Sequence, residues 1–210
     1  QLKVLGRVLR HNVRNGMNVI QGWAETIQAN HEQQLDGPEE IIEKGAELSE
    51  LAEKEKAITD VLTDPPKMIE TDLRDLVDHV IETVATEHPE ATITTDCPST
   101  LPATVPANFE SAVEELVRNA VIHNDAEEPS VTITGEQDDQ IRLSIRDTGP
   151  EIPEMERAVL LGGEDQTAIY HGSGLGLWLV NLIVSRSGGS LHYETVEPRG
   201  NRIEITVPTE

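Results

Sequence analysis

With Cys97 as its single cysteine, this chain has no disulfide framework and no cysteine-ligated metal site, and a reducing, cytoplasmic setting is expected. Aromatic residues are nearly as scarce, with two Trp, two Tyr and one Phe, so any core has to be packed from Leu, Ile, Val and Ala. No apolar run approaches the roughly 18 residues that span a bilayer, and the N-terminus lacks the shape of a signal peptide. Positive charge is the fourth shortage. Sixteen Lys and Arg face 39 Asp and Glu, for a net charge of -23, and only Lys3, Lys44, Lys54, Lys56 and Lys67 are lysines. Such a surface repels nucleic acid and anionic membranes, which argues against a nucleic-acid partner. An acidic excess with few lysines also fits adaptation to high salt, where counterions screen self-repulsion, so a halophilic source is expected.

What is present points to two units. A chain of 210 residues, 37% of them hydrophobic, accommodates one ordinary domain and a smaller helical piece. Leu2, Leu5, Leu9, Val13, Met17, Ile20, Ala24 and Ile27 recur at spacings of three and four, predicting one helix about 40 Å long. Leu35-Asp36-Gly37-Pro38 breaks that pattern, and Pro38 starts a second stripe at Ile41, Gly45, Leu48, Leu51, Ile58 and Leu62. Two such helices form a hairpin that cannot cover both stripes alone, so a second copy is expected to complete a four-helix bundle. The pattern is already under way at Gln1. This reads as a piece of a longer protein, with any membrane attachment in upstream segments.

His11 lies two positions past Leu9, about 200° round the helix from the stripe, and faces outward. Arg7, Arg10, Arg14, Asn12, Asn15 and Asn18 surround it. Residues 1–24 hold four basic residues and no acidic one, a local reversal that suggests an anion passes there. Asp64-Pro65-Pro66 ends the second stripe as a linker, placing the helical unit at 1–63, the linker at 64–70 and a second unit at 71–210. That second unit has α+β grammar. Asp72 caps a helix to about Glu87, Ala91–Thr95 and Ala103–Val105 read as short strands, and Asn108 to about His123 is helical. Val131–Thr134 and Ile141–Ile145 read as paired strands and residues 150–174 as loop; a helix then runs to Gly188-Gly189, and Ser190–Thr195 and Arg202–Val207 close the chain as strands.

Three segments carry polar residues at chemically telling spacings. Glu115, Asn119 and His123 fall at successive fourth positions, a polar row that suits a hydrated Mg²⁺ and a polyphosphate, or equally plain capping and surface hydrogen bonding. Asp147-Thr148-Gly149 ends a strand with a carboxylate that can accept from the exocyclic amine of adenine, or form an ordinary turn. Gly172-Ser173-Gly174-Leu175-Gly176-Leu177 runs into a helix. Glycines at every second position permit unusual backbone conformations and close approach of N–H groups to phosphate, with the helix dipole aimed at the same spot.

In this order the segments resemble the histidine protein kinases of two-component signalling, and the resemblance covers essentially the whole chain. Glu115–Asn124 is similar to the family's N box, Asp147–Pro153 to its first glycine box and Gly172–Leu177 to its second, while Gly188-Gly189-Ser190-Leu191 and Gly200–Pro208 match its last two strands. The resemblance implies a Bergerat-type ATP-binding two-layer α+β sandwich preceded by a dimerising helical hairpin that bears the phosphoacceptor. It places Asn119 on Mg²⁺, Glu115 on a metal water or as base, and His123 and Asn124 near the phosphates. Asp147 would bond adenine with Gly149 and Ile152 lining the base, and the glycine segment with Ser173, Leu175 and Leu177 would wrap the triphosphate. His11 would be the phosphorylated residue.

Four positions depart from the family pattern. Asn12 replaces the acidic neighbour of the phosphorylated His, Gly16 a Pro, the second glycine of the first box is missing, and Ile122 stands at a basic position. Asn15 matches the amide that positions water for dephosphorylating the partner. The expected function is autophosphorylation of His11 from Mg-ATP, with Arg14 neutralising charge, followed by transfer to an aspartate of a response regulator receiver domain. The alternatives are a degenerate core acting as a scaffold or response-regulator phosphatase, and an ATPase of the gyrase or chaperone type.

Overall fold

The computed structural model describes residues 37–162 and 174–208. The stripe at 2–27 and its bundle lie outside the described residues, together with His11, Asn12, Arg14, Asn15, Gly172 and Ser173.

Helix α1 (Gly37–Thr63) begins beside Pro38, as its sequence predicts, and stops before Asp64-Pro65-Pro66, where ring closure removes the amide hydrogens a helix needs. Its last turns pack into the main core. Ile58 is fully buried and Val61 nearly so, both within the main core. Arg186, from the last turn of the later helix, donates to the C-terminal carbonyls of Leu62 (3.2 Å) and Asp64 (2.7 Å). A guanidinium there satisfies orphan acceptors and faces the negative end of the helix dipole.

Strand β1 (Met68–Asp72) follows and pairs antiparallel with β3 (Pro102–Pro106). It starts inside the stretch read as linker. Its five residues do not alternate apolar with polar and it is largely exposed, so the sequence carries no strand signal there. Asp72 then caps α2 (Leu73–Glu87), its Oδ1 accepting from Arg74 N at 2.9 Å and from Leu101 N at 2.7 Å.

The main sheet has the order β2-β4-β5-β7-β6. Strand β2 (Thr92–Asp96) runs parallel to β4 (Ser130–Gln137), the crossover between them containing β3 and helix α3 (Phe109–Ile122). β4, β5 (Gln140–Asp147), β7 (Asn201–Pro208) and β6 (Ser190–Thr195) pair antiparallel. Alternation decides which face is buried. Val131, Ile133, Ile141, Leu143, Ile145, Ile203, Ile205 and Val207 point to one side and are buried, against the apolar faces of α2, α3 and α5 (Leu175–Arg186). On α3, Phe109, Ala112, Val113, Leu116, Val117 and Val121 follow the helical period. Each large side chain so buried contributes about 1.5–3 kcal/mol. The expected two-layer α+β sandwich is therefore the observed architecture.

One helix was not expected. α4 (Glu154–Leu160) lies in the segment read as loop, started by Pro153 with Glu154 and Glu156 in its first turn. Only Val159 and Leu160 of its seven residues are buried, too few to register as a period.

Candidate functional site

The ends of β5 and β7, the C-terminal half of α3, the segment 147–153, α4 and the first turn of α5 enclose a cavity of about 370 Å³. That volume falls in the range of small-molecule pockets. Its walls are largely apolar, from Leu116, Ala120, Ile145, Ile152, Leu177 and Ile203, with a few polar side chains among them: Asn119, His123, Asp147, Glu151, Glu156 and Asn201. Five residues singled out from the sequence, Asn119, His123, Asp147, Ile152 and Leu177, meet at this one cavity across four elements.

Asp147 is the last inward position of β5, after Ile141, Leu143 and Ile145, and it is 7% exposed. Its Oδ1 accepts from Gly149 N (2.7 Å) and from Asn201 Nδ2 (3.0 Å), and its Oδ2 from Asn201 Nδ2 (3.2 Å). Burial pushes its pKa above the ordinary aspartate value, and the hydrogen bonds from Asn201 and Gly149 pull the other way. Asn201 was missed as a site residue. Its signal was present: in β7 the inward series Asn201, Ile203, Ile205, Val207 opens on a polar residue at the same end of the sheet as Asp147.

Gly149 packs against the Asp147 carboxylate and Asn124. Asn124 itself holds the loop from behind, donating from Nδ2 to Thr148 Oγ1 (3.3 Å) while its Oδ1 accepts from Ala126 N (3.1 Å), and it does not line the cavity. Gly200, at φ +133, presses so close to the Asp147 carbonyl that a Cβ would lie 2.2 Å from it. Only glycine fits there.

The polar row on α3 persists as a chain of contacts. Asn119 Nδ2 donates to Glu115 Oε1 at 3.2 Å, and Lys54 Nζ from α1 reaches the same oxygen at 2.8 Å. Lys54 was not anticipated, because nothing in its own helix marks it. His123 is the C-cap residue of α3, its backbone N donating to Asn119 O at 3.1 Å.

The glycine segment differs from its sequence reading in mechanism. Gly174 is the N-cap of α5 with φ -91, and Gly176 sits within the helix, so neither uses a conformation reserved for glycine. What Gly176 supplies is space. A Cβ on it would stand 1.7 Å from Glu115 Oε1. Leu177 faces the cavity, whereas Leu175 is buried in the core and does not line it.

Two protein oxygens are free to meet a cation. Asn119 Oδ1 and Glu115 Oε2 have no partner among the described residues, and Mg²⁺ takes few protein oxygens, completing its shell with water and substrate phosphates. Among the described residues no three His, Cys, Asp or Glu side chains cluster as a self-sufficient metal site. The donor set thus fits a metal brought in with a nucleotide.

The profile of the histidine kinase-, DNA gyrase B- and HSP90-like ATPases matches residues 104–210. The chain belongs to that ATPase family. Within the family its sequence relatives are sensor kinases. The sensor-type histidine kinase PrrB of Mycobacterium tuberculosis is 28% identical over 143 residues, covering 67% of this chain and 32% of PrrB. The adaptive-response sensory kinase SasA of a Synechococcus species is 26% identical over 230 residues, covering 99% of this chain and 60% of SasA. The chain thus spans about a third of the length of the PrrB relatives it matches. The structure of the histidine kinase AdeS of Acinetobacter baumannii superposes with a TM-score of 0.73 at 18% identity, covering 94% of this chain and 97% of AdeS, a likeness of fold alone. The resemblance to the catalytic core of two-component histidine kinases, and the Bergerat-type ATP-binding fold it implies, are borne out. No helix among the described residues is long and apolar enough to cross a membrane.

Proposed function

We propose that the chain is the core of a sensor histidine kinase, with a phosphoacceptor and dimerisation hairpin at 1–63, a connection at 64–70 and an ATP-binding unit at 71–210. It would phosphorylate its own His11 from Mg-ATP and pass the phosphoryl group to an aspartate of a response regulator. The observation that carries the reading is the buried Asp147 carboxylate, held by Asn201 and Gly149 at the wall of a largely apolar cavity, an acceptor where the amine of adenine would sit.

Adenine would lie between Ile152, Ile145 and Ala120 with its amine on Asp147, and the triphosphate would run past Asn119 and His123 toward the start of α5. Asn119 Oδ1 and Glu115 would hold Mg²⁺, which when bound neutralises charge on the transferring phosphate. Gly172 to Leu177, entering the positive end of α5, would exclude water from the phosphates. An imidazole nitrogen of His11 attacks the γ-phosphorus, the bond to the β–γ bridging oxygen breaks, ADP leaves, and Glu115 or water takes the imidazole proton. Arg14 would offset charge on the phosphoryl group, and Asn15 would position water when the regulator is dephosphorylated. Phosphoryl transfer asks mainly for positioning and charge neutralisation, so Asn12 in place of a carboxylate slows the step without removing it.

Asn12 is also the observation behind a second reading, a degenerate core that scaffolds or dephosphorylates its regulator in a cytoplasmic signalling complex. Incubation with γ-labelled ATP separates them. An acid-labile label lost in His11→Gln supports the kinase, the absence of label over hours supports the degenerate core, and steady ATP hydrolysis surviving His11→Gln identifies a gyrase- or chaperone-like ATPase.

A further inference from the structure

Asn201 is 3% exposed, and both ends of its amide are occupied. Nδ2 donates to both oxygens of Asp147 and to Pro150 O (2.8 Å); Oδ1 accepts from Ile152 N (3.1 Å) and from Tyr193 Oη (2.8 Å). A backbone N–H can only donate and a carbonyl can only accept, so Pro150 O and Ile152 N together admit one orientation of the amide. The flipped amide would set N–H against N–H at Ile152 and oxygen against oxygen at Pro150. With the amide fixed, Asp147 faces N–H groups from two directions, Asn201 and Gly149. A carboxyl so placed is held as an acceptor, since a proton on Oδ1 would meet donors.

The consequence lies in what the cavity reads. An ionised Asp147 accepts from a purine amine at C6 and repels a carbonyl there; a protonated Asp147 would donate to that carbonyl. We propose that Asn201 is a specificity-determining residue, whose locked amide keeps Asp147 an acceptor and so selects 6-aminopurine over 6-oxopurine nucleotides. The inference rests on the assignment of this cavity to the base of a nucleotide. The other titratable groups around Asp147 are His123, Glu151 and Glu156 within the cavity, Arg146 on its own strand and Arg202 and Glu204 on β7, and none of them hydrogen-bonds to it among the described residues.

The test is equilibrium titration of the full chain with Mg-ATP and Mg-ITP, which differ only in the C6 substituent and the N1 proton that goes with it. The wild type binds ATP more tightly. Asn201→Asp keeps the acceptor for Ile152 N and Tyr193 Oη but sets carboxyl against carboxyl, so the pair shares a proton. ATP affinity then falls by about tenfold or more while ITP affinity holds or rises, and the ratio collapses toward one. Asn201→Ser, which retains a donor, restores a ratio above that of Asn201→Asp. Because a ratio of affinities is independent of the folded fraction, partial unfolding does not mimic this result; should Asn201→Asp not fold, Asn201→Ala removes the donors and is expected to compress the ratio likewise. A wild type that binds neither nucleotide overturns the assignment of the cavity. A wild type that prefers ATP, with the same preference in Asn201→Asp or, where that does not fold, in Asn201→Ala, overturns the role of Asn201 alone.

Discussion

Lys54 of α1 and Glu115 of α3 form an ion pair at 2.8 Å with little solvent around it, their side chains being 22% and 10% exposed. The pair joins α1 to the polar row on α3. Desolvation lowers the Lys54 pKa, but Glu115 and Glu50 raise it more, so the net shift is upward. A raised lysine pKa means that the stabilising contribution is complete at neutral pH and is lost only as pH rises through the folded-state value, above that of an ordinary lysine. Lys54→Met leaves the Glu115 carboxylate buried with Asn119 as its remaining described partner, and is expected to cost about 1–3 kcal/mol in urea denaturation. The same change releases Glu115 Oε1 toward a metal-bound nucleotide. Mg-ATP affinity should therefore rise several-fold as stability falls; a parallel loss of both would count against this account.

Gly176→Ala sets two effects against each other. Alanine in a helix gains about 1 kcal/mol over glycine, whereas forcing a Cβ into a packed site costs about 1–3 kcal/mol. Here the Cβ would stand 1.7 Å from Glu115 Oε1, an oxygen held by Lys54 and Asn119, so overpacking wins and stability drops. In a Glu115→Ala background the obstacle is gone and the same substitution should stabilise. A double-mutant cycle by thermal unfolding measures the reversal, and additive effects would refute the steric explanation.

For Asp147 the sign runs with acidity. Its pKa is raised by burial, so folding favours the protonated form, and the cost of burying the charge is relieved as pH falls through that value. Binding responds in the opposite sense, because the adenine amine needs the ionised form. Adenosine, which lacks titrating phosphates, should lose affinity across the acidic pH range, the loss beginning at a higher pH than an ordinary surface carboxylate would allow. Calorimetric titration across that range, with Asp147→Asn as a non-titrating control, is the measurement. A flat profile in the wild type would dissociate Asp147 from base recognition.

A net charge of -23 predicts salt dependence of stability. Self-repulsion acts over about 30 Å at 0.01 M salt and about 3 Å at 1 M, so the melting temperature should climb between those limits. If it is instead the same in dilute buffer and in molar KCl, the acidic surface has no halophilic role.

Much of the fold was written in periodicity. Val131–Thr134 and Ile141–Ile145 alternate and became the centres of β4 and β5, and the apolar face of α3 repeats at the helical period. Such patterns are local and survive without knowledge of what they pack against. β1 and α4 left no pattern, because one is a short exposed strand defined by its hydrogen bonds to β3 and the other buries only two residues. Among site residues, Asn119 and His123 could be named from their spacing and Asp147 from its place at a strand end, while Ile152 and Leu177 followed from the resemblance of their segments to the kinase glycine boxes.

What the sequence by itself determined, then, is the set of elements and the chemical character of each segment, since hydrophobic period, caps and turn residues act within a few positions along the chain. Tertiary structure alone decided which side chains meet. Antiparallel register brings Asn201 to Asp147, helix packing brings Lys54 to Glu115, and Gly176 is glycine for lack of room beside Glu115 rather than for its backbone angles. Contacts across such separations depend on how sheets and helices stack to bury apolar surface, and that free energy belongs to the assembled core rather than to any one stretch of chain.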